Sequence, residues 1–262
     1  MRKIKKLICN VKIFYQHKDR IKDIQNEIKI ELGAIDFQFA SFGGADINYY
    51  VLRDNKKFGM LRLAIADKED DYSLPIVRLN KKKRLAKEYT AYNKGANNTL
   101  TPKVLYHSVD ALVCEYIPGE RVFDMLQKDK SKVWSILSSV VKIYKALHDL
   151  DIVHLDATLK NFVMDNKQMK VIDFEYYAGK EDFTIEEQKA YDYVRIIEHT
   201  LRNIPNKYQR EYHEFIEYLD KIVPSEIRNV DFKYVKPYII NIQNYPIYTD
   251  LKEKIFTKLN FE

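Results

Sequence analysis

Two stretches decide the fold of this 262-residue chain, His154-Leu-Asp-Ala-Thr-Leu-Lys-Asn161 and Asp173-Phe-Glu175. A long helical pattern precedes the first stretch, and two short apolar runs lie between the two. Asp165-Asn-Lys-Gln168 separates these runs and is typical of a hairpin turn. The sequence therefore predicts a polar loop, a β-hairpin and an aspartate at the hairpin's end, which would lie close together.

The residue types in these stretches suit phosphoryl transfer. Transfer from ATP needs one carboxylate to orient the attacking hydroxyl and accept its proton, and two oxygen ligands to hold Mg²⁺ against the phosphates. Asp156 fits the first task, and Asn161 with Asp173 fits the second. The expected cofactors are ATP and Mg²⁺, with Asp156 catalytic and Asn161 and Asp173 as metal ligands.

The sequence before these stretches is rich in strands. β-branched and aromatic runs occupy residues 37–42, 48–53 and 58–65, which predicts an antiparallel meander. A charged helix is predicted around residues 84–93, followed by two more short strands that end near Ile117 at a Pro-Gly breaker.

Beyond residue 117 the pattern is mostly helical. Apolar residues recur at three- and four-residue intervals on one predicted helix face: Val133, Ile136, Leu137, Val140, Val141, Tyr144 and Leu147. The predicted fold class is α+β, with an antiparallel five-stranded N-lobe and a mostly helical C-lobe. We expect a basic N-terminal extension in residues 1–34 with a helical segment, the N-lobe in 35–117 and the C-lobe in 118–262.

The two stretches and their spacing resemble the catalytic and metal-binding loops of the protein-kinase-like superfamily. This superfamily includes protein kinases, aminoglycoside and choline kinases, and bacterial lipopolysaccharide-core sugar kinases. The resemblance covers roughly residues 35–200. It implies a bilobal kinase fold, an alcohol group as phosphoryl acceptor, a structural role for His154, and a helix residue, Asp192, that braces the catalytic loop.

The resemblance also implies nucleotide-binding residues in the first lobe. Gly43-Gly44 looks like the turn that covers the phosphates, although a plain hairpin turn explains the two glycines equally well. Arg62 stands where most kinases carry a third-strand lysine, and Glu88 is its expected helix partner, with an exposed helix glutamate as the alternative. Glu115 and Ile117 lie in the implied hinge, whose backbone would meet adenine.

Differences between this chain and the branches of the superfamily limit the class of phosphoryl acceptor. The stretch from Glu115 to Asp156 is too short for the helices that aminoglycoside and choline kinases insert there. Asp173-Phe-Glu replaces the Asp-Phe-Gly of protein kinases, and no Ala-Pro-Glu follows. The leading hypothesis is a kinase for a sugar hydroxyl in a bacterial cell-envelope glycan or glycolipid, like the lipopolysaccharide-core kinases. The alternatives are a choline- or aminoglycoside-type small-molecule kinase, a compact protein Ser/Thr kinase and a nucleotide-binding pseudokinase.

Composition adds expectations about surroundings. The chain is 46% hydrophobic and 31% charged, no run of about 18 apolar residues occurs, and the basic N-terminal opening has no cleavage signal, which predicts a cytoplasmic protein. The net charge is +6, with basic clusters in the first 22 residues and at Lys81-Lys-Lys-Arg84. These clusters suit peripheral contact with an anionic membrane surface or are solvated helix faces.

Nothing in the sequence resembles a nucleic-acid-binding motif. Cys9 and Cys114 have the context of reduced core residues.

Overall fold

The computed structural model describes residues 14–42, 46–65, 70–71, 73–166 and 168–261. Its first half contains, in chain order, α1 (Lys18–Leu32), β1 (Asp36–Phe42), β2 (Asp46–Arg53), β3 (Lys56–Ala64), β4 (Ile76–Arg78), α2 (Lys81–Ala96), β5 (Val104–His107) and β6 (Ala111–Glu115). Five of these strands form one antiparallel sheet in the order β1-β2-β3-β6-β5. The predicted five-stranded antiparallel sheet is confirmed.

The two faces of this sheet have different neighbours. Because side chains alternate along a strand, Leu61 and Leu63 of β3 lie on one face and Arg62 on the other. Leu61 and Leu63 are fully buried in a core that also contains Ile24 and Ile28 of α1. Helix α1 is therefore an integral part of the first half's core, and Arg62 faces away from it.

The second half is mostly helical. It contains β7 (Glu120–Arg121), α3 (Val122–Lys128), α4 (Val133–His148), β8 (Phe162–Asp165), β9 (Gln168–Val171), β10 (Tyr176–Ala178), α5 (Ile185–Leu201), α6 (His213–Ile222), α7 (Lys236–Ile239), α8 (Tyr248–Asp250) and a π-helix (Leu251–Ile255). Short 3₁₀ helices occupy Lys130–Lys132, Leu159–Asn161, Asn206–Tyr208, Ser225–Ile227 and Ile240–Asn244. The α+β assignment is therefore confirmed, while the lobe boundary near residue 117 stays a prediction.

Helix α4 is the centre of the larger core. The predicted apolar face is buried: Val133, Leu137, Val140, Val141, Tyr144 and Leu147 are each 0% exposed, and Ile136 packs at the margin. Complete burial of such a side chain contributes about 1.5–3 kcal/mol, so this face anchors the second half. Helix α5 begins with a capping box formed by Thr184 and Glu187, which satisfies two of its N-terminal amides.

Two small sheets complete the fold. Strands β7, β8 and β9 form an antiparallel sheet, in which β8 and β9 are the predicted hairpin, closed by the pair Asp165 and Gln168. Strands β4 and β10 pair antiparallel, with Tyr176 opposite Arg78 and Ala178 opposite Ile76. The pairing of β4 with β10 is not apparent from the sequence. It joins the strand-rich half to the helical half just after Asp173.

Among the described residues, no helix is both long enough and apolar enough to cross a membrane. Cys114 is a free thiol that is only partly buried, and burial raises its pKa to about 12, which keeps the thiol neutral. Cys9 and the basic cluster in residues 1–13 lie outside the described residues.

Candidate active site

The loop that carries Asp156 is closed by Asn161. The Asn161 side-chain amide donates to the Asp156 carbonyl oxygen at 2.9 Å and to Asp156 Oδ2 at 3.2 Å. Leu155, just before Asp156, has a φ of 64°, a left-handed conformation that costs free energy for a residue with a side chain. The loop therefore needs support from the surrounding structure to keep Asp156 in place.

Asp192 of helix α5 supplies that support. Its carboxylate is 0% exposed and accepts hydrogen bonds from the backbone N–H groups of His154 and Leu155, both at 2.8 Å. His148 Nε2 lies 3.2 Å from the same carboxylate. Because charge-assisted bonds to a buried carboxylate are strong, Asp192 holds the strained turn before Asp156 in place.

His154 is tied to backbone on both sides of its ring. The Asp156 N–H donates to His154 Nδ1 at 3.2 Å, so Nδ1 is the acceptor and Nε2 carries the proton. Nε2 lies 3.0 Å from the Ile172 carbonyl oxygen, to which it donates. The ring thus connects the Asp156 loop to the residue before Asp173, as expected of a structural histidine.

The two expected metal ligands are brought together by backbone contacts. The Ile172 N–H donates to the Asn161 carbonyl oxygen at 2.9 Å, which places Asp173 beside Asn161. Asp173 has a φ of 74°, and its N–H donates to the Tyr92 hydroxyl at 3.3 Å. Asp173 is therefore held in a sparsely populated conformation by contacts from both halves of the molecule.

One guanidinium joins the two halves at this point. Arg62 Nη1 lies 2.9 Å from Glu88 Oε2, and Arg62 Nη2 lies 2.8 Å from Asp173 Oδ1. The Glu88 side chain is only 3% exposed and accepts a second bond, at 2.6 Å, from the Tyr92 hydroxyl. The exposed-glutamate alternative is thus excluded. The structure brings Arg62, Glu88 and Asp173 into one ion-paired group.

The two carboxylates of this group have opposite pKa shifts. Burial raises the pKa of Glu88 to about 7, and Arg62 only partly offsets that effect. For Asp173, burial also acts against ionisation, but the charge and hydrogen bond of Arg62 outweigh it and lower the pKa. Asp173 is therefore ionised at neutral pH, as a metal ligand must be, while Glu88 titrates near neutrality.

A cleft of about 260 Å³ lies next to this group, between the five-stranded sheet and β8. Arg62, Glu88, Glu115 and Ile117 line it, together with apolar side chains such as Met60, Leu112, Val163 and Ile172. The Glu115 carboxylate pairs with the Lys170 ammonium across the two halves. Gly43 and Gly44 lie outside the described residues, so their expected role at the phosphates stays a prediction.

Asn161 and Asp173 fit a magnesium ion that arrives with a nucleotide. Mg²⁺ is usually held by one or two protein carboxylates with substrate phosphates and water completing its shell. Within the described ranges, no group of three or more His, Cys, Asp or Glu residues could hold a metal by itself. One carboxylate and one amide beside a cleft are a suitable donor set for a cation that also binds phosphate.

The ion pairs around Arg84 were not predicted from the sequence. Arg84 was expected in a basic surface cluster with Lys81, but its side chain is 3% exposed and pairs with Asp46 and Glu175. Arg84 and Glu88 are four residues apart on α2, and Tyr92 is four further on, so all three share one helix face. That spacing of polar residues was the available signal for a site-facing stripe.

Parts of the chain are similar to known proteins. No family model matches the chain. The chain is 33% identical over 98 residues to a probable serine/threonine-protein kinase BUD32 homolog of Archaeoglobus fulgidus, covering 37% of this chain and 46% of that protein. It is 37% identical over 68 residues to a putative sperm motility kinase W of Mus musculus, covering 24% and 14%.

Two segments of the chain are thus similar in sequence to parts of proteins named as kinases. This kinase-like chain spans less than half the length of either curated relative. Among solved structures it is similar to WaaP in complex with acyl carrier protein, with 10% identity, a TM-score of 0.45, and 75% of this chain and 89% of that one covered. It is also similar to the PknI kinase domain of Mycobacterium tuberculosis, with 12% identity, a TM-score of 0.45, and coverage of 66% and 76%.

Proposed function

We propose that this chain is an ATP-dependent kinase that transfers the γ-phosphate to an alcohol group. The observation that carries the proposal is the ion-paired group of Arg62, Glu88 and Asp173, which lies at a cleft beside the Asp156 loop. A cation and a metal-binding carboxylate at the mouth of an adenine-sized cleft are what nucleotide phosphates require.

The cleft suits a nucleotide in two parts. Its apolar lining around Met60, Val163 and Ile172 would receive adenine, next to the backbone of residues 115–117. Arg62 is at the polar side of the cleft, where its guanidinium would contact phosphate oxygens bidentately. Asn161 and Asp173 would hold Mg²⁺, which neutralises charge on the phosphates when it is bound.

The chemical step needs one further group, Asp156. Its carboxylate would accept a hydrogen bond from the acceptor hydroxyl and orient the oxygen toward the γ-phosphorus. As the new oxygen–phosphorus bond forms, the bond from the γ-phosphorus to the β–γ bridging oxygen breaks, ADP leaves, and the hydroxyl proton passes to Asp156. The Asn161 amide, which donates to Asp156 Oδ2 at 3.2 Å, would keep that carboxylate oriented.

The acceptor that we propose first is a sugar hydroxyl of a bacterial cell-envelope glycan or glycolipid. Residues 116–155, all of which the structure describes, contain only β7, α3, a 3₁₀ turn and α4. They hold no additional helical layer of the kind expected of choline and aminoglycoside kinases. The exposed Lys18 and Lys22 of α1 would suit peripheral contact with an anionic membrane surface, where such glycolipids are found.

A compact protein Ser/Thr kinase is the second candidate. One curated relative is named a probable serine/threonine-protein kinase, which favours it. Against it, only residues 179–184 separate β10 from α5, which leaves little chain for a peptide-binding platform.

An acceptor panel distinguishes these candidates. ADP release with Mg-ATP would be measured against lipopolysaccharide-core sugars, choline, an aminoglycoside and a generic protein such as casein. We expect release that depends on the sugar acceptor. Release with protein alone would establish the second candidate, and release with choline or the aminoglycoside would establish a small-molecule kinase. Nucleotide binding without release from any acceptor would identify a pseudokinase.

A further inference from the structure

A buried ion cluster lies behind the site, and the proposed chemistry does not use it. Arg84 donates to Asp46 through both terminal nitrogens, at 3.2 and 3.1 Å, and Arg84 Nη1 also lies 3.2 Å from Glu175 Oε2. Arg84 and Asp46 are 3% and 6% exposed, and Glu175 is 16% exposed. Arg84 thus ties β2 of the first half to the residue that follows Asp173-Phe174 in the second.

The residues after Glu175 are held by the same helix. The Tyr177 hydroxyl donates to the Lys83 carbonyl oxygen at 2.6 Å, and the Lys87 ammonium donates to the Tyr176 carbonyl oxygen. Consecutive residues of the segment Glu175–Tyr177 therefore contact α2 at positions 83, 84 and 87. We call these contacts, together with Asp46, the α2 clamp.

Strand β4 contacts the segment that follows Asp173 on the side opposite α2. It pairs with Tyr176, Tyr177 and Ala178 in an antiparallel ladder, and Arg78 Nη1 lies 3.7 Å from Glu175 Oε1. The segment that follows Asp173 is thus fixed between two elements of the first half. A shift of helix α2 would require these contacts to break together.

Each end of the α2 clamp lies close in sequence to a residue of the site. Glu88, which contacts Arg62, lies one helical turn after Arg84 on α2, and Asp173 lies two residues before Glu175. We propose that Arg84 and Glu175 are positioning residues, whose ion pair couples the place of Glu88 to that of Asp173 and so holds the nucleotide site assembled before nucleotide binds. This inference rests on the proposed kinase function, because it concerns the same site.

The consequence would be a nucleotide site that is ordered before nucleotide binds. Interactions that are present both with and without nucleotide reduce the ordering that binding must supply. Loss of the Arg84–Glu175 pair should therefore free α2 in the absence of nucleotide, and bound Mg-nucleotide should restore its position.

The test compares Glu175→Gly and Glu175→Gln with wild type, and uses Glu181→Gln as the matched control because Glu181 is exposed. Hydrogen exchange of the α2 amides is measured with and without the Mg²⁺ complex of a non-hydrolysable ATP analogue, alongside kcat and KM for ATP. We expect Glu175→Gly to speed α2 exchange without nucleotide, with protection regained on binding, and to lower kcat/KM on the order of tenfold.

The glutamine variant separates positioning from a direct role at the reaction. A glutamine oxygen still accepts from Arg84 Nη1, so Glu175→Gln should retain most of the protection and of kcat/KM. Unchanged α2 exchange in Glu175→Gly would overturn the proposal. A glutamine variant that keeps the protection of α2 but loses as much kcat/KM as the glycine variant would also overturn it, because the carboxylate would then act in some way other than by holding α2.

A double-mutant cycle with Arg84→Lys checks the pairing itself. Lysine keeps a positive charge for buried Asp46 but cannot bond Asp46 and Glu175 in the same fork. We expect the effects of Arg84→Lys and Glu175→Gly on kcat/KM and α2 exchange to be non-additive, whereas additive effects would contradict the coupling.

Hydrogen exchange of α2 tests the clamp independently of turnover. If no acceptor supports turnover, the kinase proposal fails while α2 exchange still tests the clamp. If wild type turns over and α2 exchange is identical in all the variants, the clamp fails alone.

Discussion

The Arg62 guanidinium pairs with two carboxylates, whose pKa values shift in opposite directions. Asp173 has a lowered pKa and stays ionised, whereas burial raises the pKa of Glu88 to about 7. Tyr92 contacts both residues, donating to Glu88 at 2.6 Å and accepting from the Asp173 N–H at 3.3 Å. The charge of Arg62 is thus shared before any phosphate arrives, and the following predictions test that arrangement.

Substitutions of Asp156 and Asp173 should impair different steps, turnover for Asp156 and nucleotide binding for Asp173. Asp156→Asn removes the proposed proton acceptor and should lower kcat by about 10²- to 10⁴-fold while leaving ATP binding nearly intact. Asp173→Ala removes the charged residue that we propose as a metal ligand and should abolish Mg²⁺-dependent nucleotide binding. Calorimetric titration with Mg-nucleotide checks both variants. Equal loss of binding in the two would contradict this division of roles.

Glu88 should make nucleotide binding sensitive to pH. Because its pKa is about 7, Glu88 gains a proton as the pH falls from 8 to 6 and then holds Arg62 less firmly. We expect nucleotide affinity to fall over that range by up to about tenfold, the ratio set by one pKa unit. Glu88→Gln, titrated with the same nucleotide, is the control and should lack this component. Parallel pH profiles for the two proteins would refute the assignment.

The sequence predicted the local part of this site better than the distant part. Asp156 and Asn161 lie in one loop, and Asp173 ends the following hairpin, so their proximity follows from short-range rules. Arg84 contacts Asp46 and Glu175, which are 38 and 91 residues away. Nothing local specifies such partners, and a run of three lysines before Arg84 instead indicated a solvated surface.

Helix α5 combines the support of the catalytic loop with a group that is sensitive to acid. His199 is 8% exposed, and burial, with the nearby cations Arg195, Arg202 and Lys160, lowers its pKa from 6.5 to about 4. Between those pH values His199 is protonated in the unfolded chain but not in the folded chain. The free energy of unfolding therefore decreases as the pH falls from about 6.5 to about 4.

Replacement of this histidine should reduce that acid sensitivity. Between pH 7 and pH 5, wild type should lose about 1–2 kcal/mol that His199→Gln does not lose, after allowance for partial solvent access. Urea denaturation of both proteins at the two pH values measures the difference. An identical loss in the two would show that His199 does not titrate as described.

Gly119, between the cleft and strand β7, tolerates no side chain. A Cβ at this position would overlap the Met164 carbonyl of β8, which is backbone and cannot move aside easily. Gly119→Ala should therefore lower the free energy of unfolding by about 2 kcal/mol. The neighbouring exposed Glu120→Ala is the control and should stay within about 0.5 kcal/mol of wild type in thermal or urea unfolding. An unchanged Gly119→Ala would show that β7 and β8 can separate at no cost.

Elements with a periodic apolar pattern or a clear turn sequence were predictable, whereas β4 and β10 were not. The buried face of α4 and the β8–β9 hairpin follow from apolar spacing and a turn sequence. Strands β4 and β10 have three residues each, too few for a period to show, and they pair across nearly 100 residues. Their pairing is set by the packing of the two halves against each other.

At the scale of the whole molecule, the described residues form two hydrophobic cores, one between α1 and the five-stranded sheet and the other around α4 and α5. The cleft, the Arg62 ion pairs and the α2 clamp all lie where the two halves meet. A nucleotide bound there would contact both halves, which agrees with transfer between two substrates in a shielded cleft.

The central claim is that this cleft transfers a phosphoryl group with Asp156 as the proton acceptor. The most direct test is ³¹P NMR of Mg-ATP incubated with a sugar acceptor and either wild type or Asp156→Asn. The account predicts that wild type converts ATP into ADP and one new phosphomonoester in equal amounts, and that Asp156→Asn does so at least about 100-fold more slowly. Equal product formation by the two proteins, or intact ATP with every acceptor class tested, would contradict it.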